Sequence, residues 1–262
     1  MEHSDPARRV GGLFPYTNTL TGRNNIVNPF KWLPSILVAG MLCAPLPAQQ
    51  HINGKVVFPP ERVPNLWKVK QLLKSYHDCR CGCGCYVTEM NEQGRRAVAF
   101  LERRVAARRS GEKLAIVLDI DDTALSDYPF YETTDLGYIQ NLFDQWAQSA
   151  QAPAIESTLR VFQKALQLQV AVFFISGRRE ALRAATEQNL QTRGFVGWSR
   201  LVLQSMHDNS RSVAEFKSAA RQHITDEGYR IILNMGDQVS DLSGEPAAEL
   251  SLKLPNPFYF IP

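Results

Sequence analysis

The chain has little net charge of either sign: 29 basic and 26 acidic residues among 262 leave a formal +3. Because the two signs are mostly interleaved, the sequence offers no broad electropositive footprint for nucleic acid. The densest basic run, ERRVAARRSGEK, spaces Arg103, Arg104, Arg108 and Arg109 around Val105, Ala106 and Ala107, the pattern of a solvated helix face. Long apolar runs are also scarce. WLPSILVAGMLCAPLPA holds roughly 17 residues, too few for a comfortable bilayer span, and Pro34, Pro45 and Pro47 interrupt it. There is no internal repeat and no low-complexity tract. Cysteine is sparse, with 5 in the whole chain, yet four of them crowd into HDCRCGCGCY at positions 79, 81, 83 and 85.

With 44% apolar and 10% aromatic residues, the chain can bury a substantial core. The apolar run ending near Ala48, behind a polar leader, reads as a secretory signal, which predicts a periplasmic or secreted protein with no stable membrane span after cleavage. Removing residues 1–48 takes away Arg8, Arg9, Arg23, Lys31, Glu2 and Asp5, so +3 becomes +1. Residues 49–110 read as a helical region carrying the cysteine turn. One helical face is drawn by Leu66, Val69, Leu73 and Tyr76, a second by Met90, Ala97, Leu101 and Val105.

Residues 111–262 change character. The apolar runs LAIVLDID, VAVFFIS, RLVLQ and YRIILNMGD alternate with amphipathic helices, among them a helix from Ser212 with a capping box to Glu215 and a buried stripe of Val213, Phe216, Ala220 and Ile224. Continuous apolar strands separated by helices predict an α/β fold with a central parallel sheet covered on both faces. In such sheets ligands sit outside the carboxyl ends of the strands. The unusual polar residues stand there: Asp119, Asp121 and Asp122 after the first strand, Ser176 and Arg178 after the second, Asp237 and Asp241 after the last.

Carboxylates this crowded repel by roughly 4 kcal/mol per pair at 4 Å and an effective dielectric of about 20, so the cluster needs a counter-ion. Oxygen ligands without a neighbouring His or Cys favour a hard cation, Mg²⁺. One aspartate can then act as nucleophile while another serves as acid and base, with Ser176, Lys217 and turn N–H groups holding phosphate oxygens. Asp122 reads as a cap or a solvated loop residue. A lone helix lysine such as Lys217 is ordinarily solvated.

The motifs resemble those of the acid phosphatases of the haloacid dehalogenase superfamily, in the branch that joins bacterial secreted acid phosphatases to plant vegetative storage proteins. DxDxT matches Asp119, Asp121 and Thr123; the strand-closing Ser matches Ser176 in FFISGR; the helix lysine matches Lys217 in EFKSAAR; GDxxxD matches Gly236, Asp237 and Asp241. APAIESTL, RAATEQNL and the ending KLPNPFYFIP are similar too, so the likeness runs from about Leu114 to Pro262, with a weaker match over the helices from Asn65. The resemblance implies a Rossmannoid three-layer fold with a small cap insertion. It implies Asp119 as nucleophile, Asp121 as general acid and base, and Asp119 and Asp237 with the Asp121 carbonyl as Mg²⁺ ligands. Ser176 and Lys217 would bind phosphate, Asp241 would support Lys217 or the metal, and the substrate would be a small phosphomonoester. The helices before Gly111 and the insert after Thr123 are expected to shape the entrance, with Tyr128, Phe130 and Tyr131 either packed under the insert or stacked on a leaving group.

The cysteine turn keeps three readings. In an oxidising compartment Cys79, Cys81, Cys83 and Cys85 would pair, preferably over longer range than Cys-x-Cys, whose rings are strained. Otherwise the turn is incidental, or with His77 it holds a soft metal. For the whole chain the rivals to a phosphatase are a non-catalytic storage or binding protein on the same fold and a metal-binding protein working through this turn.

Overall fold

The computed structural model describes residues 62–205 and 212–261. The signal reading on residues 1–48 lies outside them. Among the described residues no helix is long and apolar enough to cross a membrane.

Five strands form one parallel sheet: β1 (Lys113–Leu118), β2 (Ala171–Arg179), β3 (Arg200–Gln204), β4 (Tyr229–Gly236) and β5 (Leu250–Lys253), in the order β3-β2-β1-β4-β5. Successive side chains of a strand point to opposite faces, and here both faces are apolar. Leu114, Ile116 and Leu118 of β1 join Val172 and Phe174 of β2 in one core, while Ala115, Val117, Phe173 and Ile175 join a second.

The first core is closed by α2 (Tyr86–Ala106), α5 (Glu156–Gln167) and α6 (Arg183–Thr192), through Met90, Ala97, Leu101, Val161, Phe162, Ala165 and Leu190. The second is closed by α7 (Val213–Asp226), through Phe216, Ala220 and Ile224. The result is three layers, and each fully buried Phe or Leu stabilises them by roughly 1.5–3 kcal/mol. Two local devices fix the helices. A Cβ at Gly94 would stand 2.9 Å from the Ser157 Cβ, so glycine lets α2 lie close on α5. The capping box is present: Ser212 Oγ accepts from the Glu215 N–H at 3.2 Å and the Glu215 carboxylate accepts from the Ser212 N–H at 3.4 Å.

The insert between Thr123 and Pro153 folds as α3 (Tyr128–Thr133) and α4 (Gln140–Gln148), with a small core of Phe130, Tyr131, Phe143 and Ala147 closed by Leu182 from beyond β2. α1 (Leu66–Asp78) buries no residue: Val69, Leu73 and Tyr76 are half-buried, and Leu66 and Trp67 are exposed. It touches the insert through Lys70–Asp135 at 2.7 Å and through His77, whose ring stacks on Tyr128 at 3.4 Å.

Candidate active site

The chain crosses from β1 into the site without leaving the sheet ladder at once, because the Asp119 N–H still donates to the Met235 carbonyl at 3.0 Å. Then it turns sharply. The Ile120 carbonyl accepts from the N–H groups of Thr123, Ala124 and Leu125, and Asp122 takes φ 48°, the left-handed region that Asp tolerates better than most residues. This turn lets Asp119 and Asp121 both line a cavity of about 540 Å³ at the carboxyl ends of the strands. Asp122 itself is neither a cap nor solvated, contrary to expectation. It is buried, and its Oδ1 accepts from the Asp127 N–H at 2.9 Å, because the left-handed turn points it under the insert.

Lys217 is 4% exposed, also against the expectation for a lone helix lysine. Its Nζ donates to Asp119 Oδ1 and to Asp241 Oδ1, each at 2.5 Å. Burial alone would lower the lysine's pKa, but the two carboxylates outweigh it and hold the ammonium charged. Asp241 is fixed from the other side by the Gln238 N–H, 2.8 Å from its Oδ2. It lies so close to the end of β4 that a Cβ at Gly236 would stand 2.2 Å from Asp241 Oδ2, so only glycine fits. Asp237 Oδ1 accepts from Thr123 Oγ1 at 3.1 Å, and its Oδ2 from Gln238 Nε2 and Asn256 Nδ2, each at 2.6 Å.

Asp119, Asp237 and Asp241 each place a carboxylate oxygen within 4.8 Å of the others. One lysine faces three buried carboxylates, and burial, followed by the neighbouring carboxylates as the chief raising charges, pushes Asp119 well above the usual range and Asp237 upward as well. A hard divalent cation fits this all-oxygen, negatively charged cluster. The carboxylate of Asp121 is turned elsewhere. Its Oδ1 accepts from Arg178 Nε at 2.7 Å and its Oδ2 from Ser176 Oγ at 3.2 Å. Burial raises this carboxyl, but the Arg178 charge and hydrogen bond more than offset it and hold it below the usual range. Ser176 is fully buried, its Oγ also accepting from the Arg178 N–H at 3.1 Å, and it does not line the cavity.

With this geometry in view, the comparisons with known proteins are specific. The family model for the HAD superfamily, subfamily IIIB (acid phosphatase), matches residues 60–262. The chain belongs to this subfamily. It is 38% identical over 148 residues to acid phosphatase 1 of Solanum lycopersicum, covering 55% of this chain and 58% of that one. It is similar as well to a stem 31 kDa glycoprotein of Glycine max (39% identical; 55% and 59% covered) and to vegetative storage protein 1 of Arabidopsis thaliana (31%; 56% and 55% covered). The chain thus spans less than two thirds of the length of these relatives. The solved class C acid phosphatase of Bacillus anthracis with tungstate bound shares the fold, with a TM-score of 0.61 at 20% identity over 74% of this chain and 86% of that one.

Within this subfamily IIIB scaffold, the structure brings Asp119, Asp121, Arg178, Lys217, Asp237 and Asp241 together at one cavity. The walls come in part from where they were expected: the insert lines the cavity, the helices before Gly111 do not. No residue of α1 or α2 lines the cavity, so those helices do not roof it; the insert (Tyr131, Tyr138, Phe143) and the carboxyl-terminal tail (Tyr259, Phe260) do. Phe130 packs inside the insert, and Tyr128 is covered by His77 and Phe258. Asp127 escaped the sequence reading. It is buried 3.6 Å from the Arg178 guanidinium, and only its place in the insert, beside an aromatic run, marked it. Asn256 and Gln238 escaped as well, since neutral amides in a tail carry no signal of their own.

The cysteine turn lies apart from the cavity. Cys81 and Cys83 are joined as a disulfide, while Cys79 and Cys85 are free. The longer-range pairing expected from ring strain is therefore corrected: Gly82 between them takes φ 72° and folds the short ring closed. His77 is not part of a metal cluster here, because its ring is stacked on Tyr128 and its Nδ1 is 2.9 Å from Asp78.

Proposed function

We propose that the chain is an exported, Mg²⁺-dependent phosphomonoesterase that works through a phospho-aspartate on Asp119. The observation that carries this reading is the buried Lys217 ammonium held 2.5 Å from both Asp119 and Asp241, opposite an Asp121 held by Arg178. Asp119, Asp237 and the main-chain carbonyl of Asp121 would hold Mg²⁺, which when bound polarises the phosphoryl group and offsets the carboxylate charge.

Lys217 opposes the upward push of burial on Asp119, and with the bound cation it would hold the carboxylate ionised and nucleophilic beside the position of an incoming phosphate oxygen. Asp119 attacks phosphorus in line while protonated Asp121 gives its proton to the leaving oxygen. Asp121, now ionised and steadied by Arg178 and Ser176, takes a proton from water, which cleaves the acyl phosphate and restores Asp119. Since Arg178 favours the ionised form of Asp121, the acid form grows as pH falls, which suits work in an acidic medium. Export is supported by the apolar run ending near Ala48, by the disulfide and by relatives named as glycoproteins.

The storage-protein names among the relatives favour a second reading, a non-catalytic protein on the same fold. The presence of Asp119 speaks against it. An assay of p-nitrophenyl phosphate hydrolysis at acidic pH separates the two: turnover that EDTA removes and Mg²⁺ restores supports the enzyme, and absence of turnover with Mg²⁺ present supports storage.

A further inference from the structure

Away from the cavity, three cysteine sulfurs lie close to that of Cys79. Its Sγ lies 2.8 Å from that of Cys81 and 3.8 Å from that of Cys83. Cys79, Cys81 and Cys85 place their sulfurs within 4.8 Å of one another. A tetrahedral ion with metal–sulfur bonds of about 2.3 Å sets its ligand sulfurs about 3.8 Å apart; the Cys79–Cys83 separation already has that value, and the shorter Cys79–Cys81 approach would have to open once the Cys81–Cys83 bond is cleaved.

The local chain is built for that convergence. Gly82 and Gly84 take φ of 72° and 92°, and a Cβ at either would meet nothing within 4 Å, so their role is to bend the backbone and not to make room. The bends turn successive cysteines to one side. They also aim main-chain N–H groups at sulfur: Cys81 N–H donates to Cys79 Sγ at 3.4 Å and Cys83 N–H to Cys81 Sγ at 3.3 Å. Such N–H···S bonds favour the thiolate and orient it, as the outer shell of a metal site does. Cys85 occupies the N-cap of the 21-residue α2, where the positive end of the helix dipole stabilises an anion.

We infer that the turn from Cys79 to Cys85, once its Cys81–Cys83 bond is reduced, is a four-thiolate Zn²⁺ site independent of the carboxylate rim. Soft thiolates select the ion that the hard oxygen cluster does not prefer, so one chain carries two sites of different selectivity. A phosphine reductant opens the site with balanced chemistry. It cleaves the S–S bond and becomes the phosphine oxide with the oxygen of one water, whose two protons go to Cys81 and Cys83. Zn²⁺ then displaces the thiol protons to solvent.

The test uses the full chain with Cys43→Ser, so that only the turn carries thiols, and Co²⁺ as the spectroscopic probe. After phosphine reduction, the chain should take up cobalt with sulfur-to-cobalt charge-transfer bands and tetrahedral visible absorption, both bleached by stoichiometric Zn²⁺. Cobalt on the carboxylate rim gives no sulfur band, so the two sites are told apart. A reduced, alkylated chain should lack the band, and the unreduced chain, in which only Cys79 and Cys85 are free, should show a weaker one without four-sulfur intensity, which keeps the test independent of how any variant folds. Cys79→Ser/Cys85→Ser should lose the band and weaken Zn²⁺ binding by at least about tenfold. A reduced chain without sulfur-to-cobalt absorption, or a serine variant with the full band, would overturn the inference.

Discussion

The carboxylate rim and the cysteine turn are both dense clusters of side chains of metal-ligating types, held by opposite means. At the rim Asp119, Asp237, Asp241 and Lys217 come from three segments 98 and 24 residues apart, are nearly fully buried, and are fixed by strand ends and a helix. In the turn the sulfurs come from seven consecutive positions, Cys81 and Cys83 are exposed, and two bent glycines set the shape. Tertiary structure therefore dictates the chemistry of the rim. Local chain geometry and redox state dictate that of the turn.

The largest effect that would break this comparison lies in the rim. Asp119→Asn removes the proposed nucleophile while keeping its shape, and p-nitrophenyl phosphate turnover is expected to fall by at least roughly 10⁴-fold, with no change in the thiol chemistry of the turn. Stopped assays with purified protein check it, and retained turnover would remove Asp119 from the mechanism.

A smaller effect is expected one position outward. Arg178 is 4% exposed and pairs with the half-buried Asp121 and the buried Asp127, so Arg178→Gln leaves both carboxylates uncompensated, at a cost of about 3 kcal/mol in stability. The sign for catalysis follows from the two influences on Asp121. Burial raises its pKa and Arg178 lowers it, so without Arg178 the carboxyl stays protonated to higher pH. The alkaline fall of kcat/KM should then move to higher pH for substrates with a poor leaving group, which need the proton, and less for p-nitrophenyl phosphate. A pH profile that does not move would show that Asp121 does not donate the proton.

How much of each region the sequence makes legible follows from the same contrast. The aspartates could be read because strand ends converge in any parallel sheet, and β1, β2 and β4 each carry a continuous apolar run. β5 could not: LSLK is a four-residue edge strand with alternating exposure, too short to stand out beside the tail. Lys217 looks solvated when taken alone, yet with Arg221 it stands one position beyond Phe216 and Ala220, so the buried stripe of α7 is two residues wide. Asp127 and Asn256 sit in segments without periodicity, and only the folded insert and tail carry them to the rim. In the turn the spacing alone spoke against a Cys-x-Cys disulfide, because the effect of a positive φ at Gly82 is not visible in residue types.

The smallest expected effect sharpens the comparison from the other side. A disulfide stabilises in proportion to the entropy its loop loses in the unfolded chain, and the loop closed by Cys81–Cys83 has a sequence separation of only 2. On that account its removal costs no more than about 2 kcal/mol. Cys81→Ser/Cys83→Ser should therefore keep full phosphatase activity and unfold within a few degrees of the parent in thermal denaturation. A loss of activity would mean that the turn communicates with the rim through α1, by way of His77 stacked on Tyr128 and Lys70 paired with Asp135. That route is thin, since α1 buries no residue, and so the two clusters should behave as independent parts of one fold.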